Sequence, residues 1–314
     1  MKFLYPLAKR FIAGHDFDSA IPVISKLITD GYDITIDYLG EISKTDVDCN
    51  KALKQYADII EYYASVNYPL DISIKPTQLG LLLNKDRCYA RLSDIVHRAY
   101  LHGMTVRLDM EDSSVTQGTI DLAIKLRKQF PNIGIALQSN LHRTEKDLSL
   151  MMDKEISVRL VKGAYKEHIT KAYQDKFLGE NIIHDIFVKN ALRLLSNRCR
   201  SYQYLKNDLT PIPAIGTHDE ELINDILSYL NRFIVGHDNV KKNDLFIEML
   251  YGIRRDLSSS LLKQGYCVRI YVPFGEDWLP YTIRRLKEFK NLKFVIINIL
   301  REMWSGKTNN IKTT

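Results

Sequence analysis

Eight short segments with strand-like character punctuate this sequence, and the stretches between them repeat with helical periodicity. The segments are ITIDYL from Ile34, ISIKP from Ile72, TVRLDM from Thr105, IGIALQ from Ile133, ISVRLV from Ile156, IPAIGT from Ile212, LFIEML from Leu245 and CVRIYV from Cys267. Between the first two, CNKALKQYADIIEYYASV sets Leu53, Tyr56, Ile59, Ile60 and Tyr63 on one helical face. The stretch opening at Ser93 runs to Gly103, a residue suited to the position after a helix end. TIDLAIKLRKQF, DEELINDILSYL, GIRRDLSSSLLKQG and TIRRLKEF read the same way. Such alternation predicts an α/β fold with a parallel sheet closed into a (β/α)8 TIM-type barrel; an open doubly wound sheet is the alternative.

The 314 residues suffice for one such barrel, which takes roughly 250. The longest interruption, from about Tyr165 to Tyr204, has room for more than one helix. No linker rich in Pro, Gly or Ser divides the chain, so residues 1–304 are expected to form one domain. The polar end, SGKTNNIKTT from Ser305 to Thr314, is expected to be disordered. The opening MKFLYPLAKRFIAG has neither the long apolar core nor the cleavage site of a secretory signal, and reads as a short amphipathic helix.

Charge narrows the functional classes. Net charge is +6, from 44 basic and 38 acidic residues, and the excess is scattered rather than gathered on one element as nucleic-acid binding requires. Weak attraction to an anionic membrane surface is compatible with it. Cys49, Cys88, Cys199 and Cys267 form no CxxC pair, which argues against zinc and disulfide frameworks and fits a reducing cytoplasm. The SGKT at Ser305–Thr308 lacks the earlier glycine of a phosphate loop, because Arg301 stands there. GxGxxG, HExxH and GxSxG are absent.

Barrel function sits at the C-terminal strand ends. Lys75, Asp109, Glu111, Gln138, Lys162, Tyr165, Thr217, His218, Glu248 and Tyr271 all fall at or near such ends, and the last helix carries Arg284, Arg285 and Glu288. Singly, a charged strand end often only leaves the core for solvent, and Arg284 with Glu288 could form a surface i,i+4 pair. Together they converge on one rim. Two arginines and a lysine suit a small carboxylate. Gly163 and Ala164 allow a flat ligand close to the backbone. These patterns stop at a barrel enzyme acting on a small acid.

At RLVKGAY (Arg159–Tyr165), THD (Thr217–Asp219) and the block from Met249 to Glu288 the chain resembles the proline dehydrogenase family, in its short bacterial monofunctional form. DYLGE (Asp37–Glu41), SIKPTQLGL (Ser73–Leu81) and VRLDMED (Val106–Asp112) are softer matches. The resemblance implies a distorted barrel with its last helix over the mouth, a bound FAD and oxidation of L-proline to 1-pyrroline-5-carboxylate by hydride transfer to flavin N5. Lys75, Arg284 and Arg285 would bind the proline carboxylate, with Tyr165, Tyr271 and Leu250 around the ring. Glu41 would pair with Arg284, with Asp37 nearby. FAD would be held by Asp109, Ala136, Gln138, Arg159, Val161, Lys162, Gly163, Ala164, Thr217, His218, Tyr281 and Glu288, with Asp219 and Glu248 beside it.

The family further implies a quinone acceptor, peripheral contact with the inner membrane face and a separate pyrroline-5-carboxylate dehydrogenase downstream. Departures are Glu248 where glutamine is expected, Asn140 for tyrosine, Pro76 for leucine and Asp219 for asparagine. Two rivals stand beside this reading: a Schiff-base aldolase or decarboxylase using Lys75 or Lys162, and a silent barrel that senses proline or flavin.

Overall fold

The computed structural model describes residues 5–40, 42–174, 182–201, 209–236 and 242–288. Its strands are β1 (Asp33–Tyr38), β2 (Asp71–Ile74), β3 (Thr105–Leu108), β4 (Ile133–Gln138), β5 (Ser157–Val161), β6 (Ala214–Gly216), β7 (Phe246–Leu250) and β8 (Cys267–Phe274). Each pairs in parallel with the next, and β8 pairs with β1, closing the eight into a barrel. The open-sheet alternative is excluded. Pro211 and Pro213 flank Ile212 and have no N–H for a ladder, which suits the late start of β6 at Ala214.

Period-2 alternation decides what each wall of the barrel faces. Ile34, Ile36, Ile72, Ile74, Val106, Leu108, Val158, Leu160, Ile247, Met249, Val268 and Ile270 are buried on the outer face, where the helices pack. The alternate positions turn inward and are polar: Thr35, Asp37, Asp71, Ser73, Arg107, Arg159, Glu248, Arg269 and Tyr271. Cross-lumen contacts prove their direction, since Arg159 on β5 reaches Asp109 beyond β3, Ser73 on β2 and Glu248 on β7. Branched aliphatic side chains ordinarily fill such a lumen. Here charge fills it.

The helices are α1 (Tyr5–Ala8), α2 (Phe17–Thr29), α3 (Asp46–Ser65), α4 (Lys85–Leu101), α5 (Thr116–Arg127), α6 (Thr144–Asp153), α7 (Ile182–Ser201), α8 (Glu220–Gly236), α9 (Arg255–Lys263) and α10 (Trp278–Glu288). Helix α4 begins at Lys85 rather than Ser93, because the Asn84 side chain accepts from Arg87 N at 2.9 Å and caps it there. Helix α2 has no counterpart in the sequence reading. It starts at a capping box in which Asp16 accepts from Ser19 N at 2.8 Å, and it packs on β1 and β8. Helix α10 instead contacts α1, and Tyr281 joins a second apolar cluster with Ala8, Phe11, Ile12, Leu39 and Ile253. The expected tail from Ser305 lies outside the described residues.

The barrel floor is one buried ion cluster. Asp71, fully buried, accepts from Thr35 Oγ1 at 3.0 Å, Thr105 Oγ1 at 2.6 Å and Arg107 Nε at 3.3 Å, with Arg269 Nη1 at 3.6 Å. Arg269 also stacks over Phe246, 3.7 Å from its ring centre. Gly134 leaves room here, since a Cβ on it would lie 3.2 Å from Arg107 Nη1. Burial opposes ionisation of Asp71, but Arg107, Arg269 and the Thr105 hydroxyl outweigh it and hold the carboxyl well below its usual range.

Two expectations arise from the floor. Asp71→Asn leaves two buried guanidinium groups short of a counter-charge and lowers unfolding free energy by about 3–5 kcal/mol in urea titrations. The folded-state pKa of Asp71 lies below its unfolded value, so its contribution is complete above about pH 4 and is lost as acidity increases further. Wild-type stability therefore falls on acidification below about pH 4 by more than that of Asp71→Asn, measured by urea midpoints across the range.

Candidate active site

Above the floor, a second polar layer opens at the C-terminal rim. Lys75 immediately follows β2, and its Nζ meets Asp37 Oδ1 at 2.5 Å and Asp109 Oδ2 at 3.9 Å. Asp109 gathers four cross-strand partners: Lys75, the Ser73 hydroxyl at 2.7 Å, the Tyr271 hydroxyl at 2.7 Å and Arg159. Arg159 Nη1 donates to Glu248 Oε1 at 2.5 Å, and the guanidinium lies 5.1 Å from the Tyr271 ring centre. Six of the residues singled out from sequence thus form one connected network: Asp37, Lys75, Asp109, Arg159, Glu248 and Tyr271.

Electrostatics fix the charge states that matter. Burial works against the Lys75 ammonium, but Asp37 and Asp109 more than compensate and raise its pKa. Lys75 is a fixed cation, not a free amine. Burial, assisted by Glu111, pushes the Tyr165 hydroxyl upward against the pull of Arg284 and Lys75, so both cations act on the ring that follows β5. His218 Nε2 accepts from Leu250 N at 2.8 Å, which leaves the ring proton on Nδ1. Burial, then Arg285 and Arg254, push His218 down to about 3.

The remaining sequence candidates line the same rim. Ala136, Gln138 and Val161 point inward from β4 and β5, and Gln138 Nε2 donates to the Glu111 carbonyl at 2.8 Å. Lys162 pairs with Asp219 Oδ2 at 2.6 Å, while Asp219 Oδ1 also accepts from Leu222 N at 3.3 Å in the first turn of α8. Asp219 N in turn donates to Thr217 Oγ1 at 3.2 Å. Ala164 is exposed beside Gly163. On α10, Tyr281 is buried, Arg285 half-buried with its guanidinium 5.2 Å from the Tyr281 ring centre, and Arg284 exposed. Glu41, and with it the expected Glu41–Arg284 pair, lies outside the described residues, as does the Glu288 side chain.

Ser73 escaped the sequence reading of the site, and Glu111 was placed at the rim without a role. Ser73 bridges Asp109 and Arg159, accepting from Arg159 Nη2 at 2.9 Å; alternation along ISIK already put it on the face of Lys75. Glu111 was noted only as a polar strand end. It accepts from Thr77 Oγ1 at 2.5 Å and Thr77 N at 3.3 Å, fastening the turn that follows Lys75.

The rim presents both donors and unfilled acceptors that a flat, polar cofactor could meet. Gly163 has φ +115°, and a Cβ there would lie 2.1 Å from Asn140 Oδ1. Among the described residues the Asn140 Oδ1 and Glu248 Oε2 atoms are buried without hydrogen-bond partners. Arg159, Lys162 and the neutral His218 supply donors around the same opening.

The family model described as proline dehydrogenase matches residues 20–295. Proline dehydrogenase 1 of Bacillus subtilis (strain 168) is 32% identical over 296 residues, covering 94% of this chain and 91% of that protein. Proline dehydrogenase of Deinococcus radiodurans is 32% identical over 304 residues, covering 95% and 91%. Among solved structures, proline utilization A (PutA) from Bdellovibrio bacteriovorus superposes with a TM-score of 0.80 at 23% identity, over 93% of this chain and 34% of that one; this likeness concerns the fold. With a closed parallel barrel, a charged lumen and matches along nearly its whole length, the chain belongs to the proline dehydrogenase family.

Proposed function

We propose that the chain oxidises L-proline to 1-pyrroline-5-carboxylate with FAD as hydride acceptor, and that a quinone re-oxidises the flavin. The observation that carries this reading is the buried network of Lys75, Asp37, Asp109, Tyr271 and Arg159 at the barrel mouth, with Arg284 near enough to act on Tyr165 and Arg285 on His218. The names of the relatives support the substrate.

In this reading Lys75, Arg284 and Arg285 take the proline carboxylate. Asp37 keeps Lys75 charged and aimed, and Glu111 holds the turn behind it. Tyr165, Tyr271 and Leu250 flank the pyrrolidine ring. Asp109, Ala136, Gln138, Arg159, Val161, Lys162, Gly163, Ala164, Thr217, His218, Tyr281 and Glu288 hold FAD, with Asp219 setting the Lys162 ammonium. FAD, when bound, supplies the acceptor for the hydride that leaves the ring carbon next to nitrogen. The chain supplies orientation by clamping the carboxylate and packing the ring. The amine proton passes to solvent. The product leaves for a separate pyrroline-5-carboxylate dehydrogenase, and quinone reduction brings the mouth to a membrane surface. No helix among the described residues is long and apolar enough to cross one.

The Schiff-base rival needs a lysine that readily loses its proton. Lys75 is held as an ammonium by Asp37 at 2.5 Å, which opposes that role.

Purified protein supplied with FAD should show flavin absorption bands that bleach on anaerobic addition of L-proline. Bands that persist would remove proline as substrate; a protein that takes up no FAD would remove the flavin reading. Arg284→Met should raise the proline KM by about 10–100-fold with flavin still bound, the loss of a charge-assisted contact. An unchanged KM would show that α10 does not hold the carboxylate. Because His218 lies near 3, the pH profile of flavin reduction should carry no ionisation abolished by His218→Asn between pH 5 and 8.

A further inference from the structure

Arg159 is gripped from two sides, and the two grips differ. Asp109 shares its carboxylate among Arg159, Ser73, Tyr271 and Lys75. Among the described residues the Glu248 side chain has one hydrogen-bonding partner, Arg159 Nη1 at 2.5 Å, and its Oε2 is buried without a hydrogen bond. Both Arg159 and Glu248 are nearly inaccessible, at 4% and 3% exposure. Solvent and salt therefore screen their charges poorly.

We infer that Glu248, acting through Arg159, sets the reduction potential of the flavin bound at the barrel mouth and holds it lower than a neutral residue would. The inference rests on the flavin reading. A flavin gains negative charge when it takes up a hydride, and a neighbouring guanidinium stabilises that charge. A carboxylate directed at the same guanidinium offsets part of its field. Glu248 faces inward beside Gly216 on β6 and Arg269 on β8, so its field enters the lumen rather than the helical shell. The positive charge of Arg159 itself is secure: burial disfavours it, but Glu248 and Asp109 raise its pKa further. Glu248 is thus a positioning and tuning residue.

The test is the midpoint potential of FAD bound to wild type, Glu248→Gln and Glu248→Asp, read spectrophotometrically against a reference dye without proline. Glutamine keeps an acceptor for Arg159 Nη1 and removes the charge, so its midpoint should move to a more positive potential. Aspartate keeps the charge and should remain near wild type. Glu248→Met, neutral and of similar length, gives a second charge-free variant should glutamine fail to fold. Flavin bound stoichiometrically with an unshifted or more negative midpoint in the charge-free variant would overturn the inference and leave the flavin reading intact. Failure of wild type to bind FAD would overturn both.

Discussion

The ion pair between Arg159 and Asp109 crosses the barrel lumen, and much of the upper site is arranged around it. A guanidinium placed in a lumen without compensation would carry a desolvation penalty of several kcal/mol. Its charge is met by Asp109 and Glu248, and the neighbouring charges are met in turn: Lys75 by Asp37, and Arg107 and Arg269 by Asp71. Among these lumen residues four cations face four anions. These eight groups therefore offset one another's charge, although burial raises the Asp37 carboxyl, and each side chain has its direction fixed by partners on other strands.

Such pairs are weak evidence for stability, because desolvation offsets most of their attraction. The apolar outer face of the sheet and the helices against it carry the folding energy, with isoleucine, valine and leucine recurring at alternate positions. The inner face is thereby released for chemistry. Within it the floor around Asp71 is closed and structural, whereas the upper layer ends in Lys75, Tyr271 and Arg159 at the rim. Asp109 joins the proposed substrate lysine to the proposed flavin arginine through a single carboxylate, so neither side chain can shift without disturbing the other.

The eight strands were legible because each alternates or runs apolar between turn signals, and the strand-end residues followed from them. What a linear reading lacks is barrel closure. Arg159 and Glu248 are far apart in sequence and meet only because β5 and β7 both face the lumen. Asp71, Arg107 and Arg269 gave no strand-end signal because they sit at the opposite end of the barrel, and Ser73 gave none because it lies inside β2 rather than beyond its end. Helix α2 carries Pro22 inside its span, a residue that ordinarily argues against a helix interior because it removes a backbone donor. The Glu248 departure from the expected glutamine was visible in sequence; that its partner is Arg159 required coordinates.

The omission of α2 bears on function more than its lack of chemistry suggests. In an eightfold barrel the helix after each strand normally covers the sheet, so a last helix drawn over the mouth leaves the seam between β8 and β1 bare. Helix α2 packs on both of those strands and covers that seam from the N-terminal side of the chain. This frees α10 to lie against α1, where Trp278 meets Tyr5 at 5.4 Å between ring centres and Tyr281 anchors the inner face. Arg284 and Arg285 sit on this helix rather than on a loop, near enough to Tyr165 and His218 to act on them. The position of the proposed carboxylate clamp thus depends on a helix that touches no substrate, and on the capping box that starts it.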